Sequence, residues 1–294
     1  MKLRGIVLLP FGLGVVSANP IEKRASTSDK ATVGYATLSG GTTGGGTATP
    51  VTVTTLPELK TALSSGTSKV VIISGVITGN EALKIPANTT LLGKSGTALS
   101  GIGLHMLEVS NVIIRNLEIS RVLAEAGDAI GIQSSNRIWI DSVELWSDRD
   151  HDKDYYDGLL DITHGSYAVS ITNSHLHDHW KASLVGHSDS NGAEDVALQV
   201  TYAYNYLLNN NDGINIRDGA VVLIQCNVFA NVPKPIYSSG NDGYANAVNN
   251  DLGGASNTAP PTTWNSPGYL IMSCVPIAQL VAYINTNAGA KLTF

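Results

Sequence analysis

Six aspartates crowd the fifteen-residue stretch SDRDHDKDYYDGLLD, at positions 148, 150, 152, 154, 157 and 161. Carboxylates at this density ring a solvated loop, hold a hard cation, or act as the acid and base of an enzyme. The first four alternate with Arg149, His151 and Lys153. That pattern predicts an exposed loop with local pairing to Arg149 and Lys153. It also lacks the glycine at position six and the glutamate at position twelve that an EF-hand loop needs. Asp157 and Asp161 differ, because four residues apart on one extended strand they face the same way.

The segments GDAIGIQS (127–134), YDGLLDITHG (156–165), WKASLVGHSD (180–189) and NDGINIRDG (211–219) explain how such residues could be positioned. Matching Ile130/Ile132 with Leu160/Ile162, Leu184/Gly186 and Ile214/Ile216 stacks them as neighbouring strands, ~4.8 Å apart. Asp128, Asp157 and Asp161 then gather on the outside of two adjacent coils. Lys181 falls one coil further on, and Arg217 one beyond that. Three clustered carboxylates repel, and a hard cation with oxygen ligands offsets the repulsion; Ca²⁺ tolerates irregular shallow sites better than Mg²⁺. His175, His177, His179 and His187 lie near the Lys181 coil, where zinc hydrolysis is the competing chemistry. No HExxH spacing is present, and alternation is expected to scatter them as ordinary hydrogen-bonding side chains.

The positioning elements repeat along the chain. VVIISGVI (70–77), NVIIRNLEIS (111–120), RIWIDSVEL (137–145), YAVSITNSHL (167–176), LQVTYAYNYL (198–207) and AVVLIQCNVF (220–229) share one shape: an apolar alternating strand, a polar turn, then a second strand. The turning residues are read as Asn116, Asp141, Asn173, Asn205 and Asn227. Their unequal spacing under a constant pattern predicts a right-handed parallel β-helix, whose loops vary while its strands stay in register. Asn at the turns tolerates left-handed backbone angles and can bond its counterpart in the next coil. TLPELKTALSSG (55–66), with capping-box spacing from Thr55 to Glu58, predicts a helix that caps one end and finishes at Gly66. PIAQLVAYINTNAG (276–289) predicts the helix of the other end region, and the glycine-rich stretch 39–49 an irregular entry.

The ends and composition bound the setting. Residues 1–18 combine a basic start, a short apolar run and a small-residue cleavage site, the pattern of a signal peptide; residues 19–24 end in Lys23-Arg24 and read as a propeptide. A single domain would then span 25–294, secreted and monomeric. The whole chain carries 18 basic and 24 acidic residues, net −6; without residues 1–24 the balance is 14 against 23, net −9. Such a surface repels nucleic acid and anionic membranes, so an anionic ligand would need a local basic patch or a bound cation. Two cysteines, Cys226 and Cys274, either pair or stay as buried thiols. Asn88-Thr89-Thr90 is an N-glycosylation sequon.

GDAI at Asp128, RIWIDS, SDRDHDKDYYDGLLDITHGS and HDHWKASLVGHSD together closely resemble secreted fungal pectate lyases of the pectate lyase C-like superfamily. The resemblance runs over nearly the whole mature chain. It implies a right-handed parallel β-helix and calcium-dependent β-elimination on polygalacturonate (pectate). It carries Asp128, Asp157 and Asp161 onto calcium-ligand positions, and Lys181 and Arg217 onto substrate-contacting positions. One departure stands out. Relatives continue from a VTYHHNY stretch through a coil with an N-x-R-x-P-x-x-R motif, whereas VTYA (200–203) here passes directly into YNYLLNNNDGINIRDG. About two dozen residues, one coil by repeat length, are absent with the arginine that serves as proton-abstracting base. No catalytic residue is therefore assigned. A non-catalytic, calcium-dependent pectin-binding β-helix is the alternative expectation. Ser142, where relatives commonly carry His, is expected to affect only local packing.

Overall fold

The computed structural model describes residues 24–64, 67–188, 190–240, 242–263 and 273–294, so the signal-peptide and propeptide expectations fall, apart from Arg24, outside the described residues. All pairings between its named strands are parallel. Parallel neighbours need a long crossover. Here each crossover is the rest of a coil, and the chain winds into the predicted parallel β-helix. One sheet holds nine strands, from Pro50–Val53 through Ser110–Arg115, Asn136–Asp141, Tyr167–Thr172, Gln199–Ala203 and Val221–Gln225 to Tyr244–Val248. The long strand Ala98–Leu107 pairs with Val76–Lys84 on one side and on the other splits into two ladders, its first residues pairing with Glu118–Ser120 and its last with Ile130–Gln133. One ladder continues through Glu144–Trp146, His175–His177, Tyr206–Leu208 and Val228–Ala230; the other through Leu160–Thr163, Lys181–Val185, Asp212–Ile216 and Lys234–Tyr237.

Alternation explains the core. Ile114, Ile140, Ile171, Tyr202 and Ile224 sit at one register position of five successive strands, all within 1% of complete burial. Each apolar burial of this kind contributes about 1.5–3 kcal/mol. Tyr202 occupies an otherwise aliphatic stack because its hydroxyl meets Ser183 Oγ across the core at 2.6 Å. The strand phase through VTYA survives, since Gln199–Ala203 pairs residue for residue with Val221–Gln225.

The turns separate two jobs that the sequence reading assigned to one residue. Left-handed backbone (φ 48° to 59°) falls at Asn116, Ser142, Asn173, Tyr204, Cys226 and Asn249. Asp141, Asn205 and Asn227 are thus not the left-handed residues. Asn205 and Asn227 stand one position later and form a ladder, Asn205 Nδ2 donating to Asn227 Oδ1 and Asn227 Nδ2 to Asn250 Oδ1, both at 3.0 Å. Asp141 ends its strand as a buried carboxylate, accepting from Arg115 Nε at 2.6 Å, Thr172 Oγ1 at 2.6 Å and Asn173 Nδ2 at 2.8 Å. Ser142 adds a 3.0 Å bond to it, in keeping with a local role.

The first helix is Leu56–Leu63, with the predicted capping box complete and Ser64 as its C-cap; Gly66 lies outside the described residues. Leu59 and Leu63 bury against Val53, Val71 and Ile73, closing the end of the coil stack. The C-terminal helix, Ile277–Asn287, does not cap the other end. Its Leu280 and Ile284 pack beside the turns, against Tyr204, Cys226 and Val228. A disulfide joins Cys226 to Cys274. The tail then runs back along the coils: Gly289 N bonds Asn173 O, Leu292 N bonds Asn116 Oδ1, and Thr293 bridges Arg24. The physical reason is that a helix with one apolar stripe needs a surface, and the turn flank offers one at Tyr204, Cys226 and Val228, which are buried with the helix. Among the described residues, no helix is long and apolar enough to cross a membrane.

Candidate active site

A cleft of about 300 Å³ lies along the ladder that begins at Ile130, lined by Asp157, Asp161, Lys181, Leu184, Arg217 and Tyr237 among others. Four successive strands build it, from Leu160–Thr163 to Lys234–Tyr237. Asp161 pairs with Gly131 on one side and Leu184 on the other, and Lys181 pairs with Asp212. Arg217 follows the last residue of Asp212–Ile216, so Lys181 and Arg217 come from directly paired coils.

Backbone amides hold two of the aspartates. Asp128 Oδ1 accepts from Gly158 N at 2.9 Å, and Asp161 Oδ1 from Leu184 N at 3.0 Å. His105 Nε2 lies 3.1 Å from the Asp128 carbonyl and braces its loop. Gly158 sits between the two carboxylates: a Cβ there would fall 2.5 Å from Asp161 Oδ1 and 2.8 Å from Asp128 Oδ1. The third aspartate turns away to the cation. Lys181 Nζ lies 3.2 Å from Asp157 Oδ1 and 3.5 Å from Asp154 Oδ1. Arg217 Nη1 donates to His187 O at 3.3 Å. At the far side Asp212 accepts from Tyr237 OH at 2.8 Å and pairs with Lys234 at 3.2 Å.

Burial dominates the electrostatics. It pushes Asp128 up to about 7 from 3.8, with the Asp157 charge adding to the rise. Burial and then the Asp128 charge push Asp161 in the same direction. Two carboxylates facing each other in a partly dry cleft resist ionising together. A bound cation removes that resistance, and an all-oxygen donor set suits a hard one.

The structure gathers Asp157, Asp161, Lys181 and Arg217 along this cleft, with Asp128 beside Asp161 at Gly158, and it corrects several sequence expectations. Asp157 is not on a strand with Asp161; the strand starts at Leu160, because Gly158 and the bridge from Tyr156 to Leu123 hold the preceding residues in a loop. The third strand is shifted by one residue. Leu160 pairs with Ser183 and Asp161 with Leu184, so Ser183 and Val185 face inward, not Leu184 and Gly186. Ser183 Oγ donates to Leu160 O and accepts from Tyr202 OH, which makes this polar inward position tenable. In the acidic loop, Lys153 pairs with Asp154 at 3.9 Å, but Arg149 turns away, stacking over Trp180 and donating to Asn209 O. Asp148 is bonded by His151 and Tyr156, and Asp154 joins the cleft through Lys181. Gly158, Asp212 and Tyr237 were missed; the DG and NDG pairs were the only sequence signal for the first two.

The histidines divide. His179 is buried and accepts from Lys181 N, and His187 stacks loosely on His164. His175 and His177, which alternation was expected to disperse, share one face of one strand beside Glu144.

The parallel coils define a β-helix that carries, on its outer face, a cleft lined by both carboxylates and cations. A family described as pectate lyase matches residues 13–212. A probable pectate lyase A of Aspergillus fumigatus is 49% identical over 315 aligned positions, covering 99% of this chain and 97% of its own. Pectate lyase A of Aspergillus niger is 47% identical, covering 92% and 91%. In fold, a pectate lyase from Bacillus sp. N165, solved in complex with trigalacturonate, superposes with a TM-score of 0.73 at 24% identity, covering 88% of this chain and 98% of its own. The chain belongs to the pectate lyase family and is a lyase by class.

Proposed function

We propose that this chain is a secreted, calcium-dependent pectate lyase acting on de-esterified (1→4)-α-D-galacturonan by β-elimination, with turnover slowed by loss of an arginine-bearing coil. The convergence of Asp157, Asp161, Lys181 and Arg217 along one cleft, with Asp128 beside Asp161, supports the reading. Asp128, Asp157 and Asp161 are the residues that would hold Ca²⁺. A cation held there would supply positive charge that lowers the pKa of the C5 proton of a neighbouring uronate. Lys181, already between two carboxylates, can exchange one of them for a substrate carboxylate. Arg217 can bind a second uronate one coil along the polymer. Elimination then requires a base to take the C5 proton while the C4–O4 bond breaks and a C4–C5 double bond forms. Arg217 is the only guanidinium lining the cleft among the described residues, and a protonated Arg is a poor base at neutral pH. The alignment with the A. fumigatus relative runs over 315 positions against the 294 residues here, which supports the absence of a segment.

Purified protein mixed with polygalacturonate and Ca²⁺ should give a slow rise in ultraviolet absorbance from the unsaturated product, abolished by chelator. Calcium-dependent binding with no such product would favour the second reading, a non-catalytic pectin-binding β-helix. The direct pairing of the Lys181 and Arg217 coils favours that alternative. Neither product nor binding would refute both. Export is supported by the Cys226–Cys274 disulfide, since such bonds persist in oxidising compartments. Cleavage after Arg24 would leave Ala25 docked between Leu92 and Leu292. Asn88 is exposed, as a glycan attachment requires, and the mature protein is taken to act as a monomer.

A further inference from the structure

Glu144, His175 and His177 form a cluster whose three ligand atoms lie within 4.8 Å of one another. It lies on the ladder of Glu144–Trp146 and His175–His177, which branches from Ala98–Leu107 away from the ladder that carries the acidic cleft. Residues i and i+2 of a strand project from the same face, and Glu144 is the register partner of His175 one coil below. His177 Nε2 is 3.3 Å from Glu144 Oε1, and His175 Nδ1 is 3.6 Å from the same oxygen. Ligand atoms around a tetrahedral ion with bonds of about 2.0–2.1 Å stand roughly 3.4 Å apart, which these separations match. Both rings converge on one carboxylate oxygen, Glu144 Oε1.

The surroundings provide a second observation. Asp178 Oδ2 lies 2.7 Å from His177 Nδ1 and is itself held by Asn209 Nδ2 at 3.0 Å. A carboxylate on the far nitrogen fixes the tautomer, turning the lone pair of Nε2 toward Glu144, as around metal-bound histidines. The ring of His175 stacks between His177 at 4.1 Å and Tyr206 at 5.0 Å. Its Nε2 is buried with no hydrogen-bond partner, so the ring's polar anchoring falls to Nδ1. Gly289 of the returning tail passes close enough that a Cβ would lie 3.2 Å from Glu144 Oε2.

We infer that Glu144, His175 and His177 form a binding site for a divalent transition metal of the Zn²⁺ class, with Asp178 orienting His177. The mixed nitrogen–oxygen donor set selects this class over Ca²⁺. Three protein ligands leave a fourth position for water, and the ion ties together two coils beneath the C-terminal strap. The site is independent of the calcium reading. Chelator-treated full-length chain, held in excess Ca²⁺ to saturate the acidic cleft, should take up one Co²⁺ with visible absorption bands and exchange it for one Zn²⁺. Zn²⁺ should raise the thermal midpoint by several degrees. His177→Ala should lose at least 100-fold in affinity, and Asp178→Asn about 10–100-fold. Asp157→Asn should bind Zn²⁺ unchanged. His177→Gln and Glu144→Gln, checked for folding by circular dichroism, cover the case in which His177→Ala unfolds. Absence of stoichiometric Co²⁺ bands, or wild-type affinity in folded His177 and Glu144 variants, would overturn the assignment.

Discussion

Gly158 is the smallest residue of the cleft and one of its most constrained. Its missing side chain lets Asp128 and Asp161 share the space beside its Cα while its N–H holds one of them. Gly158→Ala should keep the fold but push the carboxylates apart, weakening calcium affinity at least tenfold by calorimetric titration. The same pair predicts a pH dependence. Asp128 titrates near 7 when folded and near 3.8 when unfolded, and Asp161 shifts in the same direction. Without Ca²⁺ their contribution to stability is fully present below about pH 4, and is lost as pH rises toward 7, because the unfolded chain releases protons that the folded chain keeps. Thermal midpoints of chelated wild type and Asp128→Asn should therefore diverge in favour of the variant between pH 5 and 7.5. Added Ca²⁺ should close the gap by stabilising the wild type. Among candidate residues, Lys181 and Arg217 were legible as polar groups flanking apolar pairs. Gly158 was not, because its importance is a vacancy created by residues from two coils.

At the scale of elements, register and turn geometry govern. Asn227 is fully buried, accepting from Asn205 and donating toward Tyr202 O, Gln225 O and Asn250 Oδ1. Asn227→Ala would strand these groups and should cost about 2–4 kcal/mol in denaturant unfolding. The ladder was foreseeable from the recurrent Asn, but its separation from the left-handed position was not. An Asn in a turn can satisfy either demand, and only the coil below shows which one it meets. The one-residue error at Ser183 has a similar origin. Leu184 is the more apolar residue, yet Ser183 faces inward because Leu160 O and Tyr202 OH await its hydroxyl. A slip of one residue exchanges the faces of a strand, so a single cross-core hydrogen bond decides what the cleft receives.

At the scale of the whole molecule, a stack of coils is fastened along one flank by its own C terminus. The disulfide closes a separation of 48 residues, and the chain-entropy argument assigns such a loop about 4 kcal/mol. Reduction, or Cys274→Ser, should lower the thermal midpoint and loosen residues 273–294 first, as hydrogen exchange would report. Repeat folds tolerate the gain or loss of a unit because each coil contacts only its neighbours. Inserting an arginine-bearing coil after Ala203 should therefore preserve the fold and raise lyase turnover by orders of magnitude; unchanged turnover in a folded insertion variant would place the catalytic deficit elsewhere.

The sequence by itself determined the parallel β-helix, the capping helix at Leu56–Leu63 and the stretch of chain carrying the acidic site, because strand alternation, capping chemistry and charge density are local properties. Tertiary structure alone decided the inward face of Lys181–Val185, the return of the C-terminal strap, the Cys226–Cys274 pairing and the meeting of Glu144 with His175 and His177. Each of these depends on which residue lies 4–6 Å away in another coil, and coil lengths that vary from loop to loop hide that neighbour from any reading along the chain.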